Sequence, residues 1–313
     1  MEKDRCSTHH YEGFPESRIP VKVSSEIIYI IVLPPNFLAP FLSKDWSSHN
    51  QTEKMLFKSF IAYAAADAFG AFYEFNGVPA VVPNQLKVKS NWPFGGISDD
   101  TALTILTLIS LAENSPEAAA SRFLELLRMN VEKLRGLGPT TRAALGLEVK
   151  AKEVESVGAT NGGLLRTCLV AMAFEKKDER DTWVRALISV THKSEIAIQS
   201  ALELGDIVHS RELNLVELKE GDFPEGVPNT SGETLIAVKA LLSKSKNLEE
   251  VIRSACLLGG DTDTTAAVSS AIYSFWHPES DELFTLPWLG DVNWSELENA
   301  PEALSALYRR AGK

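Results

Sequence analysis

Cysteine is scarce in this 313-residue chain, positive charge is in deficit, and no long apolar run is present. The three cysteines, Cys6, Cys168 and Cys256, are odd in number and far apart. That spacing speaks against a disulfide framework and a thiolate zinc site, and a reducing cytoplasm is the expected compartment. The most apolar early stretch, Ile27 to Leu33, runs into Pro34-Pro35. It falls far short of the ~20 residues a membrane helix requires, so it reads as a strand or a packed extended segment. Glu2, Asp4, Glu12 and Glu16 stand upstream in place of a basic segment, so no secretory signal is expected. A formal net charge of -11 argues against a general nucleic-acid binder, which needs a basic face. A ligand carrying one pyrophosphate stays compatible, because backbone amides and metal ions neutralise such a group locally.

What the chain does contain is helical periodicity. Residues 1–53 are rich in Pro, Ser and His, lack that periodicity, and end in the polar stretch Ser47-Ser48-His49-Asn50-Gln51. They read as an irregular extension, and Met55, where the pattern begins, is a candidate alternative translation start. From Glu53 onward Leu56, Phe57, Phe60, Ile61, Ala64, Ala65 and Ala68 recur at helical spacing. The same period returns over roughly 100–113, 116–130, 162–175, 178–190, 194–211, 231–243, 247–258, 263–276 and 301–311. Clusters of Gly, Pro, Ser and Asn between them, such as Pro224 to Ser231, read as loops. With no β-alternation in this region, residues 54–313 are expected to form one all-α domain of many helices.

Two helix starts resemble each other. Ser98-Asp99-Asp100-Thr101 follows Gly95-Gly96 at a short distance, and Asp261-Thr262-Asp263-Thr264 follows Gly259-Gly260 directly. Either alone reads as ordinary capping, in which hydroxyls and carboxylates satisfy free N–H groups and complement the helix dipole. Together they hold more negative charge than a cap needs, and that charge is costly without a cation. Carboxylate and hydroxyl oxygens are hard ligands suited to Mg²⁺, Mn²⁺ or Ca²⁺, and about four converging carboxylates can hold two ions. Asp261-Thr262-Asp263-Thr264-Thr265 also fits the Asp-x-Asp-x-Thr nucleophile loop of a phosphatase class, which requires Val251 to Leu258 to be a β-strand. An EF-hand fits poorly, because its twelfth position is Ile272.

Further elements appear in a fixed order along the chain. They are Ala65-Ala66-Asp67-Ala68-Phe69-Gly70-Ala71-Phe72-Tyr73-Glu74-Phe75, the first acidic cluster, Asn161-Gly162-Gly163-Leu164-Leu165-Arg166, Thr191-His192, the second acidic cluster, and a late Leu286-Pro287-Trp288-Leu289. This series, spanning Phe57 to Leu289, resembles the ADP-ribosylglycohydrolase family, typified by the enzyme that reactivates dinitrogenase reductase. The resemblance implies a compact orthogonal all-α bundle and a hydrolase that releases ADP-ribose from a modified protein or small molecule. It also implies two divalent cations, Mg²⁺ or Mn²⁺, held by Glu74, Ser98, Asp99, Asp100, Asp261, Asp263 and Thr264. In such a site the distal ribose hydroxyls bind the ions, and Asp100 or Glu74 is the expected proton-transfer group. Asn161, Gly162 and Gly163 would contact the pyrophosphate, with His192 and Gly260 also beside the substrate.

Asp67 is expected to be a buried structural carboxylate rather than a ligand. The chain departs from the family pattern at Ser98, at Thr160 and at Leu164-Leu165, changes that bear on the pocket wall more than on the ligands. The expected protein is a monomer without membrane association. A relative that binds ADP-ribose without turning it over is the rival from another functional class.

Overall fold

The computed structural model describes residues 18–23, 26–31, 49–213, 217–219 and 221–312. Strands β1, Arg18–Val23, and β2, Glu26–Ile31, pair antiparallel with Arg18 opposite Ile31. The apolar stretch from Ile27 therefore enters a strand, as its composition suggested. Of the remaining N-terminal stretch, residues 1–17, 24–25 and 32–48, including Cys6, lie outside the described residues.

Helix α1, Gln51–Gly70, starts where Asn50 caps it: the Asn50 side chain accepts from Glu53 N and Glu53 reaches back to Asn50 N. This reciprocal capping sets the helix start a few residues ahead of the first apolar positions. A chain begun at Met55 would lack both partners. The other helices are α2 Asp99–Ser110, α3 Pro116–Asn130, α4 Pro139–Ala144, α5 Gly162–Met172, α6 Lys177–Ile188 and α7 Glu195–Ser210. They are followed by α8 Ser231–Lys244, α9 Leu248–Leu258, α10 Thr262–Trp276 and α11 Ala300–Ala311. The fold of this region is all-α. Because Val251 to Leu258 lie in α9 and no parallel sheet occurs among the described residues, the phosphatase reading loses the strand it requires.

Helices α1 and α10 form the centre. From Leu56 to Gly70 every residue of α1 is buried, and so is every residue of α10. A helix buried all round cannot carry a charged face, and small side chains are accordingly frequent in both, alanine in α1 and Ala, Ser and Thr in α10. Small side chains let the two axes approach closely, and the pair shares the most extensive helix–helix contact in the molecule. At Gly70 the approach leaves no room for a side chain: a Cβ there would lie 2.6 Å from Asp263 Cα. Thr262 Oγ1 donates to Gly70 O at 2.8 Å, so the end of α1 is fixed to the start of α10.

Asp67 ties a third element to this pair. Its carboxylate, fully buried in α1, accepts from Ser98 N at 3.1 Å, from Thr101 N at 3.3 Å and from the Thr101 hydroxyl. The start of α2 is thus anchored on α1 by donors that would otherwise be unpaired. Asp67→Ala strands these buried donors and should destabilise the fold by about 3 kcal/mol in urea unfolding; a change under about 0.5 kcal/mol, the range of an ordinary surface substitution, would show the anchor to be dispensable.

Candidate active site

Three chain segments brought together by these anchors each deliver acidic side chains to one cleft. The turn leaving α1 carries Glu74, the start of α2 carries Asp99 and Asp100, and the start of α10 carries Asp261, Asp263 and Thr264. All six line a cleft of about 330 Å³. Asn161 and Gly162, at the start of α5, line it too.

Within the cleft the carboxylates are close and individually held. Oxygens of Glu74, Asp261 and Asp263 lie within 4.8 Å of one another. Thr264 Oγ1 donates to Asp100 Oδ2 at 2.6 Å, and Asn161 Nδ2 donates to Asp261 Oδ2 at 2.8 Å. Lys89 Nζ pairs with Glu74 Oε2 at 2.6 Å and sits 4.5 Å from the centroid of the Trp92 ring. At separations near 4 Å, each pair of like charges repels by about 4 kcal/mol in a partly buried setting. One lysine offsets only part of that.

The consequence is a set of carboxyls that hold protons tightly. Burial, then the charges of Glu74 and Asp67, pushes Asp99 well above the usual carboxylate range. Burial, then Asp99 and Asp261, does the same to Asp100, and burial, then Glu74 and Asp100, to Asp263. Glu74 is raised by burial and by Asp261, against the opposing pull of Lys89. A hard cation would oppose all four shifts at once by favouring the charged carboxylates, and the donor set fits one, being carboxylate and hydroxyl oxygen without nitrogen or sulfur.

Several residues singled out in the sequence sit elsewhere. Ser98 caps α2, its Oγ accepting from Asp100 N at 3.0 Å, and is not on the cleft wall. In the first cluster, capping and exposure to the cleft are thus divided between Ser98 and the two aspartates. His192, only 1% exposed, lies behind the Thr160–Gly163 loop. Its Nε2 accepts from Gly163 N at 3.2 Å, which places the proton on Nδ1, facing Thr191 Oγ1 at 2.7 Å. Arg166, buried with its guanidinium 4.3 Å from the Phe123 ring centroid, donates to Thr191 Oγ1 at 2.8 Å. Burial, then Arg166, lowers the His192 pKa well below its usual value, so the ring is a neutral brace for the loop.

Gly163 packs against this brace rather than facing the cleft: a Cβ there would lie 2.4 Å from Ile188 Cγ1. Gly260 also lies off the wall, its carbonyl accepting from Phe75 N at 2.8 Å. Conversely, the cleft includes Phe75, from the end of the Ala65–Phe75 motif, and Gly136, Leu137, Gly138, Arg142 and Lys150, which no sequence motif marks as site residues. The Gly-Leu-Gly-Pro run at 136–139 was a visible loop signal, whereas nothing in the sequence distinguishes Arg142 or Lys150 from surface cations.

Raised carboxylate pKa values have a definite sign. The metal-free fold binds protons more tightly than the unfolded chain, so these groups cost stability as pH rises from about 4 through their folded values. Cation binding requires the deprotonated forms and reverses that cost. The melting-temperature gain produced by Mg²⁺ or Mn²⁺ over EDTA should therefore grow between pH 5 and 8; a gain independent of pH would contradict the assignment. His192→Ala should lower the melting temperature without altering cation binding read by calorimetry, since it loosens the Thr160–Gly163 loop and leaves the carboxylates in place.

Known proteins resemble this chain in sequence and in fold. The sequence description of the ADP-ribosylglycohydrolase family matches residues 49–220 and 210–313. A solved structure described as "ADP-ribosylglycohydrolase-related protein complex" superposes with a TM-score of 0.63 at 25% identity, covering 83% of this chain and 99% of that one. A search of curated proteins found no match. The family match spans the helical region and takes in all three segments that line the cleft, and on that evidence the chain belongs to the ADP-ribosylglycohydrolase family.

Proposed function

We propose that this chain hydrolyses the glycosidic bond between ADP-ribose and an acceptor, on a modified protein or small molecule, with the help of two divalent cations, Mg²⁺ or Mn²⁺. The activity resides in residues 54–313, with residues 1–53 as an extension. One observation carries the reading: carboxylates from three chain segments converge on a cleft that also contains the start of α5. The Asn161 side chain does not cap α5, because it turns its amide to Asp261 and to Thr234, and His192 takes only the Gly163 amide. A helix start of this kind attracts phosphate through its amides and dipole, and a pyrophosphate beside a ribose presents that combination to the cleft.

Glu74, Asp99, Asp100, Asp261, Asp263 and Thr264 would hold the cations, and Ser98 would keep its capping role. When bound, the cations would supply the positive charge that draws ribose hydroxyls onto an otherwise repulsive carboxylate wall. Hydrolysis breaks the bond from the anomeric carbon to the acceptor, joins that carbon to a water oxygen, and delivers a proton to the departing atom. As the bond breaks, positive charge develops on the sugar, and nearby carboxylates stabilise it. Proton transfer falls to Glu74 or Asp100, both of which line the cleft.

The test is release of free ADP-ribose, followed by mass, from arginine- and serine-ADP-ribosylated proteins in Mg²⁺, Mn²⁺ or EDTA. Release is expected with metal and not with EDTA, and Asp100→Asn or Asp263→Asn should lower it by roughly 100-fold or more. Near-wild-type rates in both variants would refute the carboxylate mechanism. ADP-ribose binding without release would favour a non-catalytic relative.

A further inference from the structure

Phe75 is placed at a cost to the fold. Its φ of 47° lies in the left-handed region, where a bulky side chain is an outlier. Asn91 and Arg211 share that region, but asparagine tolerates it, and Arg211 ends α7, a position where it is common. Phe75 gains no comparable burial in return, since it is 58% exposed. Its N–H is clamped by Gly260 O at 2.8 Å, so the second acidic cluster fixes where this residue sits. The residue lines the cleft directly beside Glu74.

The order of contacts along the wall gives the ring a place relative to substrate. Asn161 holds Asp261, the oxygens of Asp261 and Asp263 approach Glu74, and Phe75 follows Glu74. On the hydrolase reading above, on which this inference rests, the pyrophosphate lies at Asn161-Gly162 and the distal ribose at the carboxylates. The Glu74–Phe75 end is then left for the acceptor. We infer that Phe75 is a specificity-determining residue for the acceptor, an apolar platform against which a polypeptide carrying the ADP-ribose packs the residues that flank the modified side chain. An exposed aromatic on a fixed backbone supplies contact area with little ordering cost on binding. A free small-molecule acceptor covers less of the ring, so the platform favours protein-linked over small-molecule substrates.

The experiment compares wild type, Phe75→Ala and Phe75→Gly on ADP-ribosylated peptides, on the matching ADP-ribosylated free amino acids, and in calorimetry with free ADP-ribose. Phe75→Ala is expected to lower kcat/KM for peptides by roughly tenfold, a part of what covering a Phe ring can supply. The free amino-acid conjugate and the affinity for ADP-ribose should change by less than about twofold. Phe75→Gly should keep or raise the melting temperature, because glycine adopts this φ without strain.

Equal peptide turnover in wild type and Phe75→Ala overturns the inference, as does an equal loss on free ADP-ribose, which would put the ring against the nucleotide. A melting temperature lowered by several degrees in Phe75→Gly would make the ring structural and overturn it too. Wild type inert on every conjugate would defeat the hydrolase reading first, and this inference with it.

Discussion

Mutual repulsion among buried carboxylates is the constraint that the rest of this structure answers. Asp99, Asp100, Asp261 and Asp263 would separate if their backbones were free, and the fold keeps them from doing so. The close approach of α1 and α10 at Gly70, with the Thr262 bond across it, fixes the second cluster. Asp67 fixes the first by holding the start of α2. Asp67 itself illustrates the difference between a structural and a functional carboxylate. It is raised by burial but surrounded by donors from Ser98 and Thr101, whereas in the cleft Asp100 and Asp261 accept from one side chain each, Thr264 and Asn161, and face like charges.

Electrostatic strain of this kind has a stated use. A site that is unfavourable when empty and neutralised when a cation binds gains cation affinity from the same packing energy that forms the core. Lys89 on Glu74 lessens the strain at one corner, where the wall meets the partly exposed turn after α1. A second rigid support stands behind the α5 start, where Arg166, Thr191 and the neutral His192 hold the Thr160–Gly163 loop from inside. The cleft is therefore bounded by elements whose positions are set from the core.

Much of this was legible in the sequence, and the reasons are local. Helices α3, α8 and α9 show their periodicity, and Ser115 and Asn247 cap α3 and α9 through side-chain acceptors. The two acidic clusters announced themselves because no helix start needs so many carboxylates. Less could be read where the deciding fact is spatial. Helix α4, six residues long, is too short to express a period. His192 and Gly163 could not be placed behind rather than on the cleft wall, because sequence does not say which face of a loop a side chain takes. The positive φ of Phe75 and the reach of Lys89 to Glu74 depend on how α1 ends against α10, and composition carries no trace of either.

Calorimetric titration of Mn²⁺ into metal-stripped protein tests the central claim most directly. The account predicts saturable binding of about two ions per chain, abolished or reduced to one by Asp261→Asn or Asp263→Asn. A chain that binds no Mn²⁺, or whose binding is unchanged in both variants, would contradict it.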